Sequence, residues 1–209
     1  MKKIILILVS VFAFGSVTAI AASPISQKEI AKMAKKRAKE LKKEGWIVAP
    51  GALPMEAQLA DLYSKQYDKD EVGRPKFLIG ESQPTAEFYD AASLQAMAVA
   101  KLSIARQLSS DITAHIEQEQ GNIQLPREEA VSVENVKAKS QEIVSTKLGR
   151  VIPLFTCHKK LQNGNTQMMV QVGYPSIEGL EQAKEALREK LNRDIEGLGE
   201  KFKCLQPNK

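Results

Sequence analysis

Residues 151–174 read VIPLFTCHKKLQNGNTQMMVQVGY, and this stretch indicates the fold class. Two mostly apolar runs, 151–158 and 166–174, flank an Asn-Gly dipeptide at 163–164. Asn and Gly both accept a positive φ, so the dipeptide is a strong short-range signal for a β-hairpin. Pro153 has no backbone N–H to donate, which places the first strand at an edge or at a bulge. The stretch therefore predicts an antiparallel hairpin in the C-terminal half.

Helical segments lie on both sides of this hairpin in the sequence. An Ala-rich stretch over about 86–118 predicts the longest helix, and its small side chains let other backbones approach closely. Apolar spacing predicts two further helices over about 127–147 and 177–202, and a short strand over 75–82 precedes the long helix. This order predicts an α+β fold, in which helices pack on one face of a small antiparallel sheet.

The N-terminal region predicts a helical extension of that fold. Ser26 and Glu29 form a capping box that begins a helix, and Gly45 suits its C-terminal end. A second helix follows Pro54 and extends to about residue 67. We therefore predict a signal peptide over 1–21, an N-terminal helical extension over 22–74 and an α+β domain over 75–209.

The first residues have the pattern of an export signal. Lys2 and Lys3 precede an apolar run over 4–14, and Ala19-Ile20-Ala21 fits the rule for cleavage after Ala21, with the bond after Ala19 as second choice. An uncleaved anchor is the alternative, but the run is shorter than the ~20 residues that span a bilayer. No later segment is apolar enough to span, so we expect a soluble mature chain in the periplasm or secreted.

Composition narrows the class of protein. The chain has 209 residues, of which 43% are hydrophobic and 26% charged, as in globular proteins. Its formal net charge of +5 is too mild to indicate a nucleic-acid partner. The sequence leaves the oligomeric state open.

Two cysteines in an exported chain permit one disulfide. Cys157 lies in a predicted strand, and Cys204 lies just past the predicted last helix. Two interpretations stay open: a bridge that ties the C-terminal tail to the sheet, or two separate thiols. The first cysteine is far from the cleavage site, so a lipid anchor at the mature N-terminus is not expected.

Lysines dominate the predicted first helix. They leave two interpretations: a contact with an anionic envelope surface, or the solvated Lys-rich face of an ordinary amphipathic helix, which the narrow, Ala-containing apolar stripe favours. The lysines that we select for this contact are Lys32, Lys35, Lys36, Lys39 and Lys43.

The sequence offers no catalytic or cofactor motif. Cys157 and His158 are adjacent, but neighbours on a strand point to opposite faces and cannot form a dyad with each other. His115 lies four residues after Asp111, which favours a surface pair over a metal ligand. We therefore expect no enzyme, no cofactor and no metal site.

A family resemblance rests on the region after residue 77. Gly80-Glu81 at a strand end, the Ala-rich helix that begins near Tyr89-Asp90, the hairpin and the last helix resemble a small envelope domain. That domain is shared by certain outer-membrane lipoproteins and the N-terminal domain of the flagellar assembly protein FlgT. Two further motifs, 42–46 and 49–54, look like uncharacterised exported proteins of Bacteroides-type bacteria. The resemblance implies an envelope role and brings no catalytic residues.

Two functions follow as expectations. The first is a non-enzymatic exported cell-envelope protein that binds another envelope protein or an anionic envelope surface. The alternative is a periplasmic binder of a small ligand, with a pocket between the long helix and the sheet.

Overall fold

The computed structural model describes residues 25–207. The predicted signal peptide and its cleavage site lie outside these residues. The described chain contains six α-helices and four β-strands, followed by two short 3₁₀ turns. In chain order the elements are α1 (Gln27–Lys43), α2 (Met55–Gln66), β1 (Phe77–Ser82), β2 (Thr85–Ala86), α3 (Tyr89–Gln120), α4 (Arg127–Ala138), α5 (Ser140–Lys147), β3 (Ile152–Lys160), β4 (Thr166–Pro175), α6 (Ser176–Asp194) and the turns Gly199–Lys201 and Lys203–Leu205.

The sheet is built around β4, and every pairing with it is antiparallel. β3 pairs along one side of β4, while β1 and β2 follow one another along the other side. Side chains on β4 alternate, so Met168, Val170 and Val172 are buried on one face and Met169 lies on the other. The predicted α+β fold with a small antiparallel sheet is confirmed.

The β3–β4 hairpin is confirmed, but its turn differs from a two-residue Asn-Gly turn. Among the described residues only glycines have a positive φ, and Gly164 has φ +83°. The Leu161 N–H donates to the Asn165 carbonyl at 2.8 Å, and the Gly164 N–H donates to the Leu161 carbonyl at 3.0 Å. This is a three-residue loop with Gly in the left-handed position. The Asn163 side chain accepts the Asn165 N–H at 3.1 Å, so Asn163 contributes a hydrogen bond and not a positive φ.

Pro153 lies where its chemistry predicts. β3 is an edge strand, and its register with β4 shifts between Pro153 and Phe155. Proline is tolerated there because a residue at an edge or a bulge does not need to donate a backbone N–H to a neighbouring strand.

The long helix α3 crosses one face of the sheet at very close range. An ideal Cβ built on Gly80 would lie 2.2 Å from the carbonyl oxygen of Ala100, so only glycine fits at this crossing. Ser82 donates its hydroxyl to the carbonyl of Ala96 at 2.7 Å. Helix backbone and sheet are therefore in direct contact through small residues.

Two regions predicted as single long helices contain shorter ones. The predicted 127–147 helix is interrupted at Lys139 (φ −103°, ψ 6°), which separates α4 from α5. α6 ends at Asp194, because Ile195 is extended and Gly197 has φ +74°. The chain then turns back and buries Leu198 and Phe202 in the same core as α3 and α6. Their apolar spacing thus reflects core contacts made after the helix has ended.

The opposite face of the sheet is also covered by helices, which corrects the prediction of helices on one face. α1 and α2 pack against each other, and α2 packs on β3. The run after α1 adds to the outer edge of β3, where Ile47 and His158 exchange backbone hydrogen bonds of 2.9 and 2.8 Å. The N-terminal helical extension is therefore a third layer on the sheet, with its own buried cluster of Trp46, Leu59, Leu62, Phe155 and Cys157.

Candidate functional site

The first helix begins and ends as its sequence predicts. The Ser26 hydroxyl accepts the Glu29 N–H at 3.3 Å, and the Glu29 carboxylate accepts the Ser26 N–H at 2.9 Å. These two bonds complete the capping box, and the Ser26 hydrogen bonds lower the pKa of Glu29. Gly45 follows the helix with φ +84°, which confirms its role as the terminating residue.

One face of α1 is buried and the opposite face is exposed. Ile30, Ala34, Ala38 and Leu41 are buried at three- and four-residue spacing, and α1 packs on α2. In a helix of 3.6 residues per turn, residues 32, 35, 36, 39 and 43 fall within an arc of about 100° on the other side. The packing of α1 on α2 therefore turns these positions toward solvent.

All five predicted lysines are exposed and lie together on that outer face. We call them the lysine row: Lys32, Lys35, Lys36, Lys39 and Lys43. With a rise of 1.5 Å per residue, the row extends roughly 17 Å along the helix. Lys28, four residues before Lys32, is also exposed and lies in the same arc.

The lysine row has no carboxylate partner within the part of the chain that the structure describes. The ion pairs of α1 are made by other cations: Lys42 contacts Glu56 at 2.6 Å, and Arg37 contacts Glu40 at 3.5 Å. The hydrogen bond from Lys42 is the main cause that lowers the pKa of Glu56, with a smaller contribution from the charge of Lys35. Lys42 is thus directed toward α2, and the five lysines of the row form no ion pair in the described chain.

Trp46 supports the end of α1 from beneath. It is buried, and its indole N–H donates to the Glu44 carboxylate at 3.3 Å. The Lys159 ammonium lies 4.5 Å from the ring centre, in cation–π geometry. Trp46 is therefore a core residue that joins α1 to β3.

Both cysteines are free thiols, so of the two interpretations the structure has the separate thiols and not the Cys157–Cys204 bridge. Cys157 belongs to the cluster under α1 and α2, whereas Cys204 packs against the cluster under α3. The sheet stands between them because the C-terminal turns fold onto the α3 side. Burial raises the pKa of Cys157 to about 12.

His158 lies on the face opposite to Cys157. Its ring meets Tyr89 edge-to-face with 4.9 Å between centroids, and burial lowers its pKa. Cys157 and His158 therefore do not form a nucleophile–base pair, as strand geometry predicted.

Several ionisable residues line a cavity of about 660 Å³ beside the second half of α3, among them Asp111, His115, Lys184 and Cys204. Burial, together with the charge of Glu119, raises the pKa of Cys204 to about 11. A thiol with that pKa is protonated at neutral pH and is a poor nucleophile. Within residues 25–207 no group of three His, Cys, Asp or Glu side chains is placed to hold a metal ion. The Cys204 thiol in this cavity is therefore not an activated nucleophile.

The space between the long helix and the sheet is filled where the two cross. Gly80, Ser82, Ala96 and Ala100 are buried in direct contact there. Nothing at this crossing favours a small-ligand pocket.

In residues 25–207 no helix is long and apolar enough to cross a bilayer.

Comparison with known proteins finds no relative of this chain. The resemblance to the small envelope domain and to the Bacteroides-type proteins stays a prediction. No protein-family model, no curated protein and no solved structure matches the chain.

Proposed function

We propose that this protein is a non-enzymatic, exported component of the cell envelope, and that it binds an anionic envelope surface through the lysine row of α1. One observation carries the proposal: five exposed lysines share one face of a helix and have no ion-pair partner in the described chain. The predicted signal peptide supplies the route to the envelope.

The binding is electrostatic and peripheral. A lysine close to an anionic membrane surface contributes about 1 kcal/mol, and the attraction falls off within a Debye length of about 8 Å at physiological salt. The apolar side of α1 is occupied by α2, so this helix has no free apolar face to insert among lipids. We therefore expect strong salt dependence.

The test is sedimentation of the mature chain, residues 22–209, with vesicles that contain about one third phosphatidylglycerol, at low and at high salt. The variant carries Lys35→Gln, Lys36→Gln and Lys39→Gln. We expect it to lose at least about tenfold in vesicle affinity at low salt, since three contacts of about 1 kcal/mol are removed.

A matched control removes the same charge elsewhere. Arg127→Gln, Lys139→Gln and Lys203→Gln replace three exposed cations that lie outside α1. We expect this control to bind within about twofold of the wild type, because α4, α5 and the C-terminal turns pack on the α3 side of the sheet, away from the row. Equal losses in both variants, or binding that is insensitive to salt, would refute the proposal.

A further inference from the structure

The segment that joins α1 to α2 is uncharged and exposed. Residues 47–54 read IVAPGALP, and we call them the apolar loop. Ile47 at one end is 57% exposed, and Leu53 at the other end is 67% exposed. A stretch of apolar surface that the folded chain leaves uncovered marks a site of contact with another molecule or with a membrane.

Several polar backbone groups of the apolar loop are already bonded within the protein. Ile47 exchanges two hydrogen bonds with β3, and the Ala52 N–H donates to the Ala49 carbonyl at 3.1 Å. The Leu53 carbonyl accepts the side-chain amide of Gln58 at 2.7 Å, and the two prolines of the loop have no N–H. A bonded backbone group costs less to move out of water than a free one, so this loop can enter an apolar medium at reduced cost.

The apolar loop lies beside the lysine row. Lys39 and Lys43 occupy the last two turns of α1, directly before the loop. Lys42 lies three residues after Lys39, at the edge of the row, and contacts Glu56 at 2.6 Å. Glu56 is in the first turn of α2, three residues after Leu53. This ion pair therefore holds the end of the loop next to the positive face of α1.

We propose that the apolar loop inserts into a membrane interface, so that the anionic surface bound by the lysine row is a lipid bilayer. A bilayer offers negative headgroups with hydrocarbon directly beneath them, which matches a basic row next to an apolar loop. A soluble polyanion offers only the charge. Insertion adds to the lysine contact and so rests on the proposed function.

The first experiment compares vesicle affinity at low and at high salt, with the mature chain and the vesicles of the lysine test. Leu53→Ser should lose about fivefold in affinity, because a leucine side chain no longer enters the acyl boundary. We expect the same loss at both salt concentrations, since salt screens charges and not apolar contacts. The loss in the triple lysine variant should shrink as salt rises.

Ile177→Ser is the matched control, because Ile177 is 69% exposed but lies far from the loop. Ile47 pairs with His158, which is opposite Met168 near the first end of β4. Ile177 follows the other end of that strand, roughly 23 Å away at 3.3 Å per residue. The control should therefore bind vesicles within about twofold of the wild type.

Heparin, a polyanion without acyl chains, separates the two sources of negative charge. Leu53→Ser should bind heparin as the wild type does, because the loop meets no apolar medium there. The triple lysine variant should lose affinity for heparin as well as for vesicles. Equal losses of both affinities in Leu53→Ser would overturn the inserted loop.

Brominated acyl chains measure the insertion itself. Leu53→Trp places an indole in the loop, and its fluorescence should fall by at least about one third when the vesicles carry bromine on their acyl chains. Ile177→Trp should not be quenched. The wild type should not be quenched either, since its single tryptophan, Trp46, is buried.

Two results would overturn the insertion and leave the lysine row as proposed: a Leu53→Ser variant that binds vesicles as tightly as the wild type, or a Leu53→Trp variant that is not quenched. A wild type that binds no vesicles would refute both proposals. Circular dichroism checks that each variant is folded, which the exposure of Leu53 and Ile177 leads us to expect.

Discussion

The two faces of the sheet are covered by helices in opposite ways. On one face α3 approaches so closely that Gly80 has no room for a Cβ beside Ala100. On the other face α1 and α2 are held away from the sheet by large side chains, chiefly Trp46 and Phe155. The contact of α3 with the sheet requires a residue without a side chain at position 80. The contact of α1 and α2 with the sheet requires large side chains that fill the space between them. The α3 face should therefore reject added volume, and the outer face should suffer most from removed volume.

The largest effect is expected at the α3 crossing. Gly80→Ala should destabilise the protein by about 5 kcal/mol or more, because the clash is with backbone that cannot rotate away. Gly121→Ala is the matched control, since its Cβ would lie 3.6 Å from the nearest atom, at an ordinary contact distance. Urea unfolding of both variants measures the difference. A Gly80→Ala variant as stable as the control would show that α3 can move away from the sheet.

The next effect is expected on the outer face. Trp46→Ala should cost about 3–5 kcal/mol through the cavity it leaves. Trp46→Phe keeps an aromatic ring and should cost less. Hydrogen exchange sharpens the comparison: we expect amides of α1 and α2 to lose protection before those of α3, because Trp46 belongs to the outer cluster alone. Equal loss in all three helices would mean that the two faces unfold as one unit.

A smaller effect is expected from the polar contact that covers the edge of β3. The Gln58 side chain accepts the Thr156 N–H at 2.9 Å and donates to the Leu53 carbonyl at 2.7 Å. Gln58→Ala leaves both groups without this partner and should cost about 1–3 kcal/mol in unfolding free energy. Gln66→Ala, at an exposed position of the same helix, is the control. Similar stabilities of the two variants would remove any role of Gln58 in protecting this edge.

The smallest effect is expected from pH, at the edge where the two faces meet. Burial, with a smaller contribution from Lys160, lowers the pKa of His158 below its ordinary 6.5. The unfolded chain then takes up the proton first, so the stability from neutral His158 is complete above pH 6.5 and is lost as the pH falls below it. His158→Gln should flatten the thermal stability profile slightly between pH 7 and 5. A profile that is as steep in His158→Gln as in the wild type would show that His158 does not contribute to it.

Local signals predicted the elements, and long-range contacts determined where several of them end. The capping box at Ser26 and the positive φ of Gly45 act within one turn, so both were readable from neighbouring residues. No glycine or proline in residues 127–147 signals the break between α4 and α5 at Lys139. The early end of α6 depends on Leu198 and Phe202 reaching the core of α3, which apolar spacing alone does not separate from a longer helix.

The candidate site divides in the same way. Amino-acid order alone was enough to place five lysines on one face of a helix, because helical periodicity is a local property. It could not tell that Lys42 is paired with Glu56, fourteen residues away, while the lysine row is not. Helix α3 shows the same limit, because Ile112 and Ile116 near its end are buried while Leu94 and Val99 near its start are exposed. Which side of a helix is covered depends on contacts between residues distant in the chain, and periodicity carries no information about those contacts.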